Sequence, residues 1–267
     1  MPYVTTRAGR IHVAERGDGP PVVLLHATGH DHHDFDPVID RLAEGFRVFA
    51  VDWPGHGESD PLPRGMSASA VLFADVLEEV VEGLGIEAAT VIGNSVGGYA
   101  AARLAAAHPE RVSRLVLVNT GGYTGRGPLV RVACRMLGIP ALARIIFPRL
   151  IPRYMRARSE NDRVVEANAI ARARTSQGAE LIAGLWRSFT DPAYDLRGTR
   201  ILAPTLLVWG TLDIVLPLRE VRSVQAALPD AELATLETGH VVFSSDPGGF
   251  LTHVTQFLHR ADAAVEG

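Results

Sequence analysis

Short, continuous apolar runs rich in β-branched residues recur along this chain: Arg10–Glu15, Val22–Leu25, Arg47–Val51, Thr90–Ile92, Leu115–Val118, Thr205–Trp209 and Glu232–Leu236. Several are apolar at successive positions rather than at alternate ones. That is the requirement of a strand buried on both faces, as in a parallel sheet covered by helices. Helical patterns lie between the runs. In Ser67–Leu84, Phe73, Val76, Leu77, Val80, Val81 and Leu84 fall on one helical face, and Asp75, Glu78, Glu79 and Glu82 on the other. A second pattern, Val96–His108, stops at Pro109, which cannot continue a helix. Strands alternating with helices predict right-handed crossovers and an α/β fold with a mostly parallel, doubly wound sheet. Tyr3–Arg7 and Arg10–Arg16, around Ala8–Gly9, predict an antiparallel hairpin at one sheet edge.

The strand rhythm stops near Gly121 and resumes at Ala203–Trp209. Between them, helical patterns broken at Pro128, Pro140, Pro148, Pro152 and Pro192 predict a helical insertion over 121–200, with 1–120 and 201–267 forming the sheet domain. Charge separates the same unit. All 26 basic residues are arginine, and 121–200 holds 14 of them against 6 acidic residues, while the remainder holds 12 against 24. Three readings of the arginines stand: a solvated face, a site for anionic substrates, or a lipid-facing stripe along Ala141–Tyr154, where Leu142, Ile145, Ile146, Phe147, Leu150 and Ile151 lie among Arg144, Arg149 and Arg153. The net charge of −4 argues against a nucleic-acid partner, and a single cysteine, Cys134, excludes a disulfide framework or a multi-cysteine zinc site. Cys134 reads as buried filler in an apolar helix. No apolar run approaches the ~18 residues that span a bilayer, and the N-terminus reads as the start of a strand rather than a targeting segment. The expectation is a cytoplasmic protein without stable membrane insertion.

The sharpest local signal is Val91-Ile92-Gly93-Asn94-Ser95-Val96-Gly97-Gly98. An apolar strand ends at a serine flanked two residues away on each side by glycine, and a helix follows. Such an elbow lifts the hydroxyl above the sheet, and its glycines are needed because the turn leaves no room for side chains. A serine nucleophile needs a base, and the base an orienting acid. Asp213 follows the strand Thr205–Trp209 and His240 follows Glu232–Leu236, so both fall on the sheet rim that carries Ser95. The other acid position, after Leu115–Val118, holds Asn119, which cannot ionise. Backbone N–H groups of Val96 and of Thr28, in the loop after Val22–Leu25, are the expected oxyanion donors.

These residues resemble the α/β-hydrolase superfamily over nearly the whole chain. The resemblance rests on His26-Ala27, the turn Asp52-Trp53-Pro54-Gly55-His56-Gly57-Glu58-Ser59, the elbow Gly93–Gly98, Asp213, and Gly239-His240 with Pro247 and Phe250 beyond. It implies that 121–200 is the cap that roofs the active site and that His56 is structural. It also implies a cofactor-free reaction in which Ser95 is acylated, His240 shuttles the proton and Asp213 orients His240. Ser95 at the elbow disfavours the dehalogenase and epoxide-hydrolase branches, which use aspartate there. Ala27 departs from the family, which usually has glycine, and puts the backbone of the Thr28 loop in doubt.

The substrate is expected to be a small molecule with an apolar acyl or lactone group, contacted by His26 and Asn94; Trp186 and Phe189 either contact it as well or pack the cap onto the sheet. The elbow also resembles that of the meta-cleavage-product hydrolases, which split C–C bonds. Against that reading stand the short Ala27-Thr28-Gly29 loop and Val241 after His240, where those enzymes carry a longer loop and an aromatic residue. A low-turnover binding protein or a lyase on the same scaffold is compatible with these residues too. His30-Asp31-His32-His33 suggests a metallo-hydrolase pattern, but the later spacing fails, and no metal site is expected.

Overall fold

A computed structural model describes residues 3–125 and 127–262. Eight strands form one sheet: β1 (Tyr3–Thr6), β2 (Gly9–Arg16), β3 (Pro21–Leu25), β4 (Arg47–Val51), β5 (Ala89–Asn94), β6 (Val112–Val118), β7 (Thr205–Gly210) and β8 (Glu232–Leu236). Their order is β1-β2-β4-β3-β5-β6-β7-β8. Strand β2 runs antiparallel to both its neighbours, and every pairing from β4 to β8 is parallel. The fold is α/β, with the expected hairpin at the edge.

The continuous apolar runs acquire their reason here. Val23 and Leu25 of β3 face a cluster with α2 (Ala70–Gly83) and α3 (Val96–Ala107), while Val22 and Leu24 face a second with α1 (Asp36–Leu42) and α10 (Pro247–Asp262). Both faces are dry, so neither tolerates a polar register. Helix α2 starts three residues later than its apolar pattern, because the Ser69 hydroxyl accepts from the Leu72 N–H and caps it there.

Between β6 and β7 lie α4 (Pro128–Leu137), α5 (Pro140–Met155), α6 (Glu160–Arg174) and α7 (Ser176–Ser188). Pro128 and Pro140 open α4 and α5, where the missing N–H costs nothing. Pro148 and Pro152, expected to break the chain, lie inside α5 instead. Each removes a helical hydrogen bond, but Ala143, Phe147, Ile151, Tyr154 and Met155 are buried along the same helix, and burying one large side chain contributes about 1.5–3 kcal/mol. Of the lipid-facing stripe expected along Ala141–Tyr154, Phe147 and Ile151 face inward, Leu142, Ile146 and Leu150 are half-buried, and Ile145 is exposed. The insertion shares its buried side chains with both sheet clusters: Leu181, Leu185 and Tyr194 join one, Phe147, Ile151 and Ile182 the other. The remaining helices are α8 (Val221–Ala227) and α9 (Val242–Ser245). No helix among the described residues is long and apolar enough to cross a membrane.

Candidate active site

Strand β5 delivers Ser95 to α3 in a conformation L-residues rarely adopt, with φ 58° and ψ −113°. A Cβ at Gly93 would sit 2.3 Å from the Gly97 carbonyl oxygen, and one at Gly97 would sit 2.4 Å from the Leu25 carbonyl oxygen. Both positions are closed to any side chain. The strain, on the order of 1–3 kcal/mol, is held from several sides. The Ser95 N–H donates to Val118 O at 3.1 Å, and its carbonyl accepts from Tyr99 N at 3.1 Å and Gly121 N at 3.0 Å. Val96 opens α3, so its N–H belongs to the helix terminus that has no intrahelical acceptor.

The loops after β7 and β8 bring Asp213 and His240 together. His240 Nδ1 lies 2.6 Å from Asp213 Oδ2, with both side chains buried. The second carboxylate oxygen of Asp213 accepts from Val215 N at 2.7 Å and Leu216 N at 3.1 Å. His240 is itself clamped: its N–H donates to Tyr154 O at 2.8 Å, its carbonyl accepts from Asn94 Nδ2 at 3.1 Å, and the Tyr154 ring stands edge-on to its imidazole.

Asn119, set aside in the sequence because it carries no charge, proves central. Its Nδ2 donates to Asp213 Oδ2 at 2.5 Å, its Oδ1 accepts from Gly210 N at 2.8 Å, and its φ is 39°. Position was the available signal. It follows β6 on the rim shared by the other three.

The loop after β3 carries Thr28. Ala27 is absent from the positive-φ residues, and the left-handed position falls on Gly29 at φ 80°. The doubt raised by Ala27 is thereby resolved in favour of an ordinary backbone there. Two groups grip the loop. His56 Nε2 accepts from Gly29 N at 3.3 Å, and Arg172 of α6 donates to Gly29 O at 2.8 Å and pairs with Asp31. Burial lowers the His56 pKa to about 3, so the ring stays neutral and keeps its acceptor. Burial works to raise the Asp31 carboxyl, but Arg172 and the nearby His26 together outweigh it and hold the group below the usual range. Arg172 had no signal in the sequence, since periodicity does not orient the inserted helices.

Ser95, His240, Ala27 and Thr28 line a cavity of about 120 Å³. Val130, Cys134, Phe147, Leu150, Tyr154, Trp186 and Phe189 line it too, so the expected contact residues Trp186 and Phe189 do reach it. Cys134 is buried and also lines the cavity. His26 and Asn94 do not line it, which corrects the expectation for both. His26 is fully buried, its Nδ1 on Ala27 O and its Nε2 accepting from Trp53 N at 3.1 Å, while Asn94 is turned toward Val118 O and His240 O. Their bonds tie backbone to backbone behind the cavity. The Thr28 hydroxyl is buried with no partner among the described residues.

The loop histidines diverge. His30 meets Asp34 and the Tyr154 hydroxyl, His33 meets Asp36, and His32 meets Asp52. Among the described residues one atom cluster could hold a metal ion: His12, His32 and Glu58 offer ligand atoms within 4.8 Å of one another. Both imidazoles direct Nδ1 to Asp52 Oδ2, at 2.9 and 2.8 Å, leaving Nε2 as the available ligand atom of each. None of the three lines the cavity.

Residues 20–132 match the model of the alpha/beta hydrolase fold. A 2-hydroxy-6-oxononadienedioate/2-hydroxy-6-oxononatrienedioate hydrolase of Cupriavidus pinatubonensis is 33% identical over 86% of this chain and 85% of its own. This chain belongs to the alpha/beta hydrolase family. A second relative, the pimeloyl-(acyl-carrier protein) methyl ester esterase of Chromobacterium violaceum, is 31% identical over 93% of this chain and 98% of its own. Among solved structures, the enol-lactonase from Burkholderia xenovorans LB400 superposes with a TM-score of 0.82 at 24% identity, covering 97% of this chain and 100% of that one. The fold is thus shared with proteins whose named reactions differ.

Proposed function

We propose that this alpha/beta hydrolase is a serine hydrolase cleaving a carboxylic ester or lactone, with 121–200 as the cap over its active site. The observation that carries the reading is the buried Asp213–His240 hydrogen bond, whose imidazole shares the cavity wall with Ser95. Asp213 on Nδ1 leaves Nε2 as the basic nitrogen. His240 takes the Ser95 proton as Oγ adds to the substrate carbonyl, and the N–H groups of Val96 and Thr28 receive the oxyanion. Collapse breaks the C–O bond, and His240 returns the proton to the departing alkoxide. Water, deprotonated by His240, then adds to the acyl carbon, and as the bond to Ser95 Oγ breaks His240 returns the proton to that oxygen, freeing the acid and Ser95. The apolar lining of the cavity, with Phe147, Leu150, Trp186 and Phe189, suits an apolar acyl group.

Cleavage of a C–C bond in a vinylogous diketone is the second reading, favoured by the 33% identity to the Cupriavidus hydrolase. Val241 and the short Ala27-Thr28-Gly29 loop weigh against it.

The test is intact-mass analysis after exposure to a fluorophosphonate, with peptide mapping. One adduct per chain on Ser95, absent from Ser95→Ala, is the expected result. A folded protein that takes no label overturns the reading in favour of a binding role. Esters, lactones and a coloured ring-fission dienoate then separate the two hydrolytic reactions.

A further inference from the structure

Helix α4 is amphipathic with its apolar arc turned outward. Leu129, Val132, Ala133 and Met136 follow the i, i+3, i+4, i+7 spacing of a single helical face, and all four are exposed, Leu129 at 86% and Val132 at 53%. The helix meets the protein through a different arc, where Cys134 is buried and Leu137 half-buried. Ile139, between α4 and α5, and Ile145 of α5 extend the exposed apolar surface. Half of the large apolar side chains exposed among the described residues fall within 129–145. Single exposed apolar residues need no explanation, but a contiguous group bordered by one sign of charge marks an interaction surface.

Along this stretch of chain the charge has one sign. From 121 to 159 the chain holds eight arginines and no aspartate or glutamate. Arg131 and Arg135 of α4 and Arg144, Arg149 and Arg153 of α5 are all exposed. Some are anchored by backbone carbonyls within the insertion, Arg149 on Ile145 O and Arg153 on Arg149 O, so their charge is not cancelled by an acid at these contacts. A second copy of the same face would bring arginine against arginine. An anionic surface that is also apolar beneath its charge matches both features.

We infer that α4 and the start of α5 dock the protein on an anionic lipid surface, with Leu129, Val132 and Met136 seated at the acyl boundary and the arginines among the headgroups. Val130 and Cys134 place the same helix on the cavity wall, so docking holds that wall beside the lipid. The carboxyl end of α4 is pinned by Arg187, which donates to Gly138 O, and this keeps the arc presented outward. The binding does not depend on the hydrolytic reading, because neither Ser95 nor His240 takes part.

The test is flotation of the purified, untagged protein with vesicles of phosphatidylcholine containing phosphatidylglycerol, against phosphatidylcholine alone. The expected result is flotation with the mixed vesicles only, weakened by salt. Val132→Asp and Met136→Asp should each abolish it. Arg131→Glu with Arg135→Glu should weaken it by about fivefold or more per site. Each variant should keep the wild-type melting temperature, since these side chains are exposed. Absence of flotation of the wild type, or flotation unchanged in Val132→Asp, overturns the inference. So does a wild-type dimer that Val132→Asp converts to monomer, which assigns the face to a second copy. Fluorophosphonate labelling of Ser95 in the vesicle-free protein reads the hydrolytic proposal separately.

Discussion

Asn119 Nδ2 and His240 Nδ1 converge on the same carboxylate oxygen, Asp213 Oδ2, at 2.5 and 2.6 Å. The amide occupies the rim position after β6, and from there its Oδ1 also holds the first residue past Trp209, through Gly210 N. A neutral donor there fixes the carboxylate without adding a second negative charge, which an aspartate at the same position would do.

Asn119→Gly is therefore expected to lower kcat about 10- to 100-fold, the range for losing a hydrogen bond to a charged group. Glycine keeps the positive φ, so the backbone is spared and the loss is that of the side chain. The protein should remain folded by thermal melt. A hydrolysis rate and a fluorophosphonate labelling rate both equal to wild type would refute a positioning role.

The sheet was legible because burial on both faces forces continuous apolar strands, and the rim residues were legible because they follow those strands directly. Asp213 and His240 meet as their places in the chain implied. What escaped the sequence depends on contacts between distant elements. Arg172 of α6 reaches Gly29 and Asp31 across the insertion, and no local pattern announces that reach. Pro148 and Pro152 read as breaks because local chemistry says so, while the packing of Phe147 and Ile151 carries the helix through them. His26 and Asn94 sit next to the cavity-lining Ala27 and Ser95 in sequence, yet their side chains point into the backbone scaffold.

Arg172→Met tests the grip on the Thr28 loop. The aliphatic stem is kept and the donors are lost, so Gly29 O and the half-paired Asp31 lose their partner. Labelling of Ser95 should slow by about tenfold or more, with melting lowered as well, because a hydrogen bond to a charged group contributes about 1.5–3 kcal/mol. Titrating labelling rate against probe concentration separates a weaker encounter from a slower reaction. No change in either would show that His56 alone holds the loop.

Gly97→Ala should be far more damaging than an exposed substitution. Its Cβ would lie 2.4 Å from the Leu25 carbonyl oxygen and 2.9 Å from the Leu25 side chain, and backbone cannot swing aside as a flexible side chain does. Overpacking of this kind costs about 1–3 kcal/mol or more. Thermal melts should show the loss directly, and the labelling of Ser95 should fall with it. A Gly97→Ala protein as stable as wild type would mean that the elbow relaxes freely, which the bonds around Ser95 oppose.

The Asp52–His32 pair predicts a pH dependence of stability with a definite sign. Burial works against the charge on His32, but the hydrogen bond and attraction to Asp52 outweigh it and raise its pKa above the ordinary imidazole value. Burial likewise works to raise Asp52, yet the hydrogen bond from His32 and the nearby His26 and His32 hold its carboxyl well below the usual range. The raised His32 contributes stability that is complete below the ordinary value of about 6.5 and is lost as pH rises through its folded value. The depressed Asp52 contributes stability present above about 3.9 and lost as pH falls through its own folded value. Both contributions coexist between roughly pH 4 and 6.5. His32→Gln should thus lie furthest below wild type in melting temperature in that window, and the gap should narrow as pH is raised beyond it. His12 faces the same carboxylate and Glu58 faces His12, and both remain in the variant, so the difference isolates His32. A gap that stays constant across the window and beyond it would mean that His32 does not carry the charge.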